Sequence, residues 1–288
     1  MPSGIIVIDK PTDWTSHDVV AKLRGRFKVR RIGHAGTLDP MATGILPIFV
    51  GRATRAVEFA SEGEKEYLAG LRLGMETNTQ DITGTVLRTN PVSVSRKQLE
   101  EALSSFRGDI FQIPPMYSAI KQQGKKLYEL ARAGKEVERK PRPVTIFSLE
   151  LLEQQSETDY LLRVQCSKGT YIRTLCHDIG ASLGCGACLY SLRRTMAAGF
   201  TERESVTLEQ VLSSEHPERM LMPIDSYFKA HPPLFVDATA EQKIRNGASL
   251  PHEALDGLYR VYNEKQDFLM LGKIENDQLI TVKSFFEV

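Results

Sequence analysis

The sequence predicts an α+β fold, and three observations carry that prediction. Stretches that alternate apolar and polar residues at every second position, as Tyr67, Ala69, Leu71 and Leu73 do, are interleaved with stretches whose apolar residues recur every three or four positions. Capping-box patterns stand where the period changes, at Ser95-Arg-Lys-Gln98 and Thr207-Leu-Glu-Gln210. No regular strand–helix–strand repeat orders the elements, which argues against a doubly wound parallel sheet.

In chain order, Gly4 to Ile8 is a short apolar strand. Pro11-Thr12-Asp13 turns the chain into a helix after Ser16, with Val19, Val20, Leu23 and Phe27 on its inner face. The Tyr67 strand follows. The Ser95 cap opens a helix carrying Leu99, Ala102, Leu103 and Phe106 inward, with Gly108 as its stop. Val144 to Leu152 and Tyr160 to Ser167 read as paired strands around a polar turn. Ile172, Leu175, Cys176, Ile179 and Leu183 form a helical stripe ending at Gly184. Two segments stand apart. Pro114-Pro115 and Lys140-Pro-Arg-Pro143 bracket a basic, helix-containing insertion over about 113–143 that is expected to project from the body. Near Pro232-Pro233 the chain resets into a short helix over Ala240 to Arg245 and then β-rich sequence. The expected units are 1–231 and 232–288, and the second is small enough to need support from the first.

Composition narrows the classes. Of the 288 residues, 41% are hydrophobic and 25% charged, which suits a packed core. No apolar run approaches the roughly 18 residues of a membrane span. Four cysteines are too few for a disulfide scaffold of this size, so a reducing cytoplasm is the expected compartment. The net charge of +1 says nothing for a polyanionic partner, but its distribution does. Lys22 to Arg31 holds six basic residues and no acid, and Lys121 to Arg142 is a second basic stretch. Either can grip phosphates or be a solvated face.

The densest special-geometry segment is Gly33 to Gly44 (GHAGTLDPMATG). Its glycines permit unusual backbone, and Asp39 before Pro40 is held on a stiff, extended loop. A carboxylate fixed in this way can be a nucleophile, a general base, a metal ligand or the anchor of an Asx-turn. Cys185-Gly-Ala-Cys188 could be a redox or zinc half-site, but no second such pair accompanies it.

Seven blocks in colinear order then resemble the bacterial tRNA pseudouridine-55 synthases of the TruB type. They are GIIVIDKP at Gly4–Pro11, GHAGTLDP with ATGILP at Gly33–Pro47, KEY at Lys65–Tyr67, PMYSAIK at Pro115–Lys121, GKKLY at Gly124–Tyr128, CSKGTYIRT at Cys166–Thr174 and LRR at Leu192–Arg194. The resemblance implies a mixed, largely antiparallel central sheet flanked by helices, with a small C-terminal PUA-like β domain. It implies that Asp39 is the catalytic carboxylate, Arg173 the cation that pairs with it, and Tyr67 the ring that stacks on the target base. His34 is implied to fill the space left by the extracted nucleotide. Tyr171 and Leu192 are implied as pocket wall, and Lys10 as a substrate contact or a structural residue. By the same resemblance Arg30, Arg31, Lys121, Lys125 and Lys126 meet phosphates of the tRNA T arm, the tail reaches the acceptor stem, the protein is a monomer, and no cofactor or metal takes part. Three other readings use some of these residues: a non-catalytic RNA-binding protein, a synthase acting on another RNA, and a glycosidase. The first has no need of Asp39, Tyr67 and Arg173 together. The last ordinarily requires a second carboxylate in comparable context.

Overall fold

The computed structural model describes residues 1–122 and 124–287. Position 123 of the predicted insertion and position 288 of the tail lie outside the described residues. Among the described residues, ten strands form the main sheet. Eight lie in the order Ser205–Thr207, Gly4–Lys10, Thr43–Val50, Ala187–Ala197, Lys65–Leu73, Asp159–Cys166, Arg142–Gln154 and Gly108–Gln112. Ile32–His34 pairs off this path with Thr43–Val50, and Phe200–Thr201 with Ala187–Ala197. The pairings Gly4–Lys10 with Ser205–Thr207 and Thr43–Val50 with Ala187–Ala197 are parallel; the others are antiparallel.

The apolar run at the start of the chain does not alternate because the sheet is covered on both faces there. Ile6 and Ile8 face a core shared with the helices Ser16–Phe27, Arg96–Ser104, Ile172–Ser182 and Leu208–Ser213. Ile5 and Val7 face the opposite core, with Ala56, Ala60 and Phe228 and with Leu271 and Phe285 from the C-terminal part. Gly108 does not stop the preceding helix as expected from sequence. That helix ends at Ser104, and Gly108 opens the edge strand at φ +83°.

One row across the sheet decides where the site lies. Lys10 is paired with Gly44, Gly44 with Arg194, and Arg194 with Tyr67. Directly paired positions put their side chains on the same face, so the row reads ammonium, nothing, guanidinium, phenol. The empty place is enforced by packing. Gly44 has φ +99°, and a Cβ there would lie 2.2 Å from the Arg194 carbonyl oxygen. Only glycine lets these two strands come together.

Residues 232–287 form a separate five-stranded sheet, ordered Pro233–Val236, Gly257–Asn263, Phe268–Glu275, Gln278–Ser284 and Leu250–Pro251. Its helix, Ala238–Arg245, starts two residues earlier than the sequence suggests because Asp237 caps it. The unit leans on the body, as its size requires. Phe228 packs against Phe268 and Phe285, Arg55 donates to the Ser284 carbonyl at 2.8 Å, and Lys283 pairs with Glu58.

Two glycine substitutions should separate backbone constraint from helix propensity. Gly44→Ala should cost roughly 2 kcal/mol or more. Gly25→Ala, in a helix with nothing within 4 Å of the added methyl, should instead stabilise by about 0.5–1 kcal/mol. Thermal melts of the two variants should therefore move in opposite directions from the parent.

Candidate active site

The turn after Ile32–His34 is pinned from below by the segment that leads into the first helix. Lys10 is fully buried, and its ammonium donates to the carbonyls of Trp14 at 2.6 Å, Pro11 at 2.8 Å and Pro40 at 3.2 Å. Ser16 Oγ accepts from Leu38 N–H at 2.9 Å, and Asp13 N–H donates to the Pro40 carbonyl. Burial pushes the Lys10 ammonium down to about 8, with Asp39 acting against the shift. Lys10 was expected either to contact substrate or to be structural. All three of its donors are used by backbone carbonyls, that of Pro40 in the Asp39 loop itself.

Asp39 and Arg173, 134 residues apart in sequence, meet as a two-point pair. Arg173 Nε is 2.8 Å from Asp39 Oδ2, and its Nη2 donates to Oδ1 at 3.3 Å. The asymmetry of burial is informative. The arginine side chain is 5% exposed and the Asp39 side chain 37%, so the cation is fixed in protein while the anion is partly open to solvent. The remaining guanidinium N–H groups are used by the carbonyls of Thr79 at 3.0 Å and Tyr117 at 2.9 Å. Asp81, itself buried, stands 3.6 Å from Nη1, and its other oxygen accepts from Thr79 and Thr83. Arg173 sits in the first turn of the helix Ile172–Ser182 and cannot swing without breaking these contacts.

Tyr67 is 7% exposed. Burial raises its phenol above the usual tyrosine range, and the neighbouring Arg194 opposes that rise. His34 packs edge-on against His17 with ring centroids 5.7 Å apart. Burial, with His17 and Arg194 nearby, pushes the imidazole down to about 4, so it is neutral at ordinary pH. Its Nδ1 has no partner among the described residues. Tyr171 exchanges two backbone bonds with the Gln112 side chain, at 3.0 and 3.3 Å. Leu192 is 8% exposed and lies two positions from Arg194 on the same strand, paired with Ala69 as Arg194 is with Tyr67.

Of the basic positions, Arg30, Arg31, Lys121 and Lys125 are exposed and Lys126 is half-buried over the Tyr128 ring. Arg26, in the same run as Arg30, is drawn inward and donates to the carbonyls of Val211 and Ser214. The insertion is not detached at its base. Pro114, Pro115, Met116 and Ser118 are buried, and Tyr117 holds Arg173. Beyond them lie a short hairpin, Lys121–Gln122 against Lys125–Lys126, and the helix Leu127–Arg132.

The TruB family pseudouridylate synthase N-terminal domain model matches residues 24–172, and the tRNA pseudouridylate synthase B C-terminal domain model matches 173–229. A relative in Clostridium kluyveri called tRNA pseudouridine synthase B is 45% identical over 98% of this chain and 99% of its own. The chain belongs to the TruB family of pseudouridylate synthases. A relative of the same name in Alkaliphilus oremlandii is 44% identical over 96% of this chain and 94% of its own. Among solved structures, a chain of the Cbf5–Nop10–Gar1 complex superposes with a TM-score of 0.74 and 27% identity, over 98% of this chain and 85% of that one. The fold is therefore that of the pseudouridine synthases, and the enzyme is an isomerase.

Sequence reasoning missed Asp81, Thr79 and the carbonyl of Tyr117, which complete the shell around Arg173. Asp81-Ile-Thr-Gly84 reads locally as an ordinary turn. Arg194 lay inside the LRR block without a role, because only the register between distant strands puts it beside Tyr67. The cysteines are buried and unpaired in a disulfide, and burial raises all four thiols, Cys166 and Cys188 to about 11. Such thiols are poor nucleophiles. Among the described residues no helix is long and apolar enough to cross a membrane.

The depressed Lys10 ammonium predicts a pH effect. As pH rises through about 8 the group loses its charge and one of the three donors under the Asp39 loop. Between about 8 and 10.5 the unfolded chain holds the extra proton, so this group makes the fold more stable, not less, as pH rises. Turnover should fall several-fold from pH 7 to 9 while the melting temperature does not follow it down. Paired kinetics and melts across that range measure both.

Proposed function

We propose that this synthase converts uridine 55 in the T loop of tRNA to pseudouridine. The observation that carries the reading is the pair formed by Asp39 and Arg173, a partly exposed carboxylate held at two points by a buried guanidinium. The name tRNA pseudouridine synthase B, shared by relatives over nearly the whole chain, supports tRNA as the substrate. A uridine inside a folded loop must first be extruded, at a cost of a few kcal/mol. His34, uncharged and beside the catalytic turn, fills the space it leaves. Tyr67 stacks on the uracil, worth about 1–3 kcal/mol, and a flat ring tolerates the rotation of the detached base. Leu192 and Tyr171 bound that movement.

In this reading Asp39 either attacks C1′ or assists departure of the base. The C1′–N1 electron pair leaves with the uracil, the ring turns, C5 bonds to C1′, and the proton lost from C5 is balanced by one gained at N1. Atoms and oxidation state are conserved, so the reaction calls for no redox cofactor. Arg30, Arg31, Lys121, Lys125 and Lys126 bind phosphates of the T arm. Residues 1–231 are the catalytic unit, its insertion at about 113–143 closes on the T arm, and the PUA-like module at 232–288 reaches the acceptor stem. The protein works as a monomer in the cytoplasm.

Incubation with an unmodified tRNA transcript and mapping of pseudouridine tests the reading; product elsewhere than the T loop would overturn it. Asp39→Asn should abolish turnover, by about 10⁴-fold or more, and leave the dissociation constant for tRNA nearly unchanged. Arg173→Lys should also be severely impaired, because an ammonium cannot reproduce the two-point contact. The logarithm of the binding constant should fall linearly with the logarithm of salt concentration, and Lys125→Ala should reduce that slope by about one unit.

A further inference from the structure

Arg194 is the largest fully buried side chain, at 1% exposed, and none of its nitrogens lies within 4 Å of a carboxylate among the described residues. A buried guanidinium cannot shed its proton, and a buried cation without an anion is a cost to the fold. Its neighbours account for it. Nε donates to the Ile45 carbonyl at 2.7 Å and Nη2 to the Gly36 carbonyl at 3.0 Å. These two carbonyls stand on either side of the segment that carries Asp39. On the other side, the register pairs Arg194 with Tyr67, whose side chain shares its face of the sheet. Gly36 is part of the same fit: at φ +81°, a Cβ there would meet Arg194 Nη1 at 3.1 Å.

We propose that Arg194 is a positioning residue for the isomerisation, a rigid brace that fixes the Asp39 turn and the Tyr67 ring relative to each other. The inference rests on the reading of Asp39 and Tyr67 as the groups that meet the uridine. Arg194 itself is 1% exposed and so acts through these two. A planar fork suits that task. It holds two carbonyls in directions set by its own geometry, whereas an ammonium on a flexible stem holds neither at a fixed angle. The brace also explains the fold's tolerance of an unpaired buried charge, since local rules of stability are broken where function requires it.

The experiment is single-turnover conversion of an unmodified tRNA transcript by Arg194→Lys, by Tyr67→Phe and by the double variant, with tRNA binding and thermal melts measured alongside. Arg194→Gln, a neutral donor, covers the case in which a buried ammonium prevents folding. A folded Arg194→Lys should lose about 100-fold in rate while binding tRNA within about threefold of the parent, and in the Tyr67→Phe background it should cost far less, because residues acting as one unit are not additive. An equal loss in both backgrounds, or a rate within about threefold of the parent, would overturn the brace. Failure of the parent itself to form pseudouridine in the T loop would instead overturn the functional reading, so the two failures are distinguishable.

Discussion

A missing side chain organises this enzyme. In the row that runs from Lys10 through Gly44 and Arg194 to Tyr67, the glycine lets the strand of Arg194 close up against it, and the two buried cations flanking it both hold the Asp39 turn. A Cβ on Gly44 would drive a carbon into the neighbouring strand's backbone. Lys10 holds the turn at Pro40 and Arg194 holds it at Gly36 and Ile45, so Asp39 is presented from a loop fixed at several points. Catalytic groups need placement to a fraction of an ångström, and loops supply that only when their carbonyls are tied to rigid elements. The tie here is to the central strands of the main sheet.

How much of this was legible in the sequence follows from the range of each interaction. The caps at Ser95 and Thr207, the stripe from Ile172 to Leu183 and the strand through Tyr67 are local, and the periodicity and capping pattern show them. Gly108 misled because a glycine after a helical stripe reads as a stop, while here it serves the strand that follows. Asp39 stood out through its glycine- and proline-rich surroundings, but its partner came only from family resemblance. Nothing within the Cys166–Thr174 block signals that Arg173 points across 134 residues of chain. Arg194 and Asp81 stayed hidden for the same reason. Their roles are set by strand register and by a turn crossing the helix terminus, and neither leaves a periodic trace.

The small C-terminal sheet shows a related limit. Its 56 residues carry their own apolar cluster around Val261, Met270 and Ile274, yet a unit of that size buries too little surface to be stable by a wide margin. Phe268 and Phe285 turn away from that cluster and join Phe228 and Phe49 in the body's second core. The strand Gly4–Lys10 is thus pressed from one face by the helices and from the other by this aromatic seam. The position of Lys10 in the row therefore depends on packing contributed from the far end of the chain.

Charge in the site follows the same economy of placement. Among the described residues, the buried side chains around the turn include four cations, Lys10, Lys65, Arg173 and Arg194, but one carboxylate, Asp81, with Asp39 partly exposed. Lys65 is tied to the carbonyls of Ser61 and Gly63, and burial lowers its ammonium as it does that of Lys10. A site built only for stability would pair or omit such charges, since apolar residues of similar volume serve a core at least as well. Here each cation is spent on fixed acceptors instead: Lys10 on three carbonyls, Arg194 on those of Gly36 and Ile45, and Arg173 on Asp39 and two carbonyls. Neutral His34 fits the same scheme: with its imidazole pushed down to about 4, it occupies space beside the turn without adding a charge that would vary with pH.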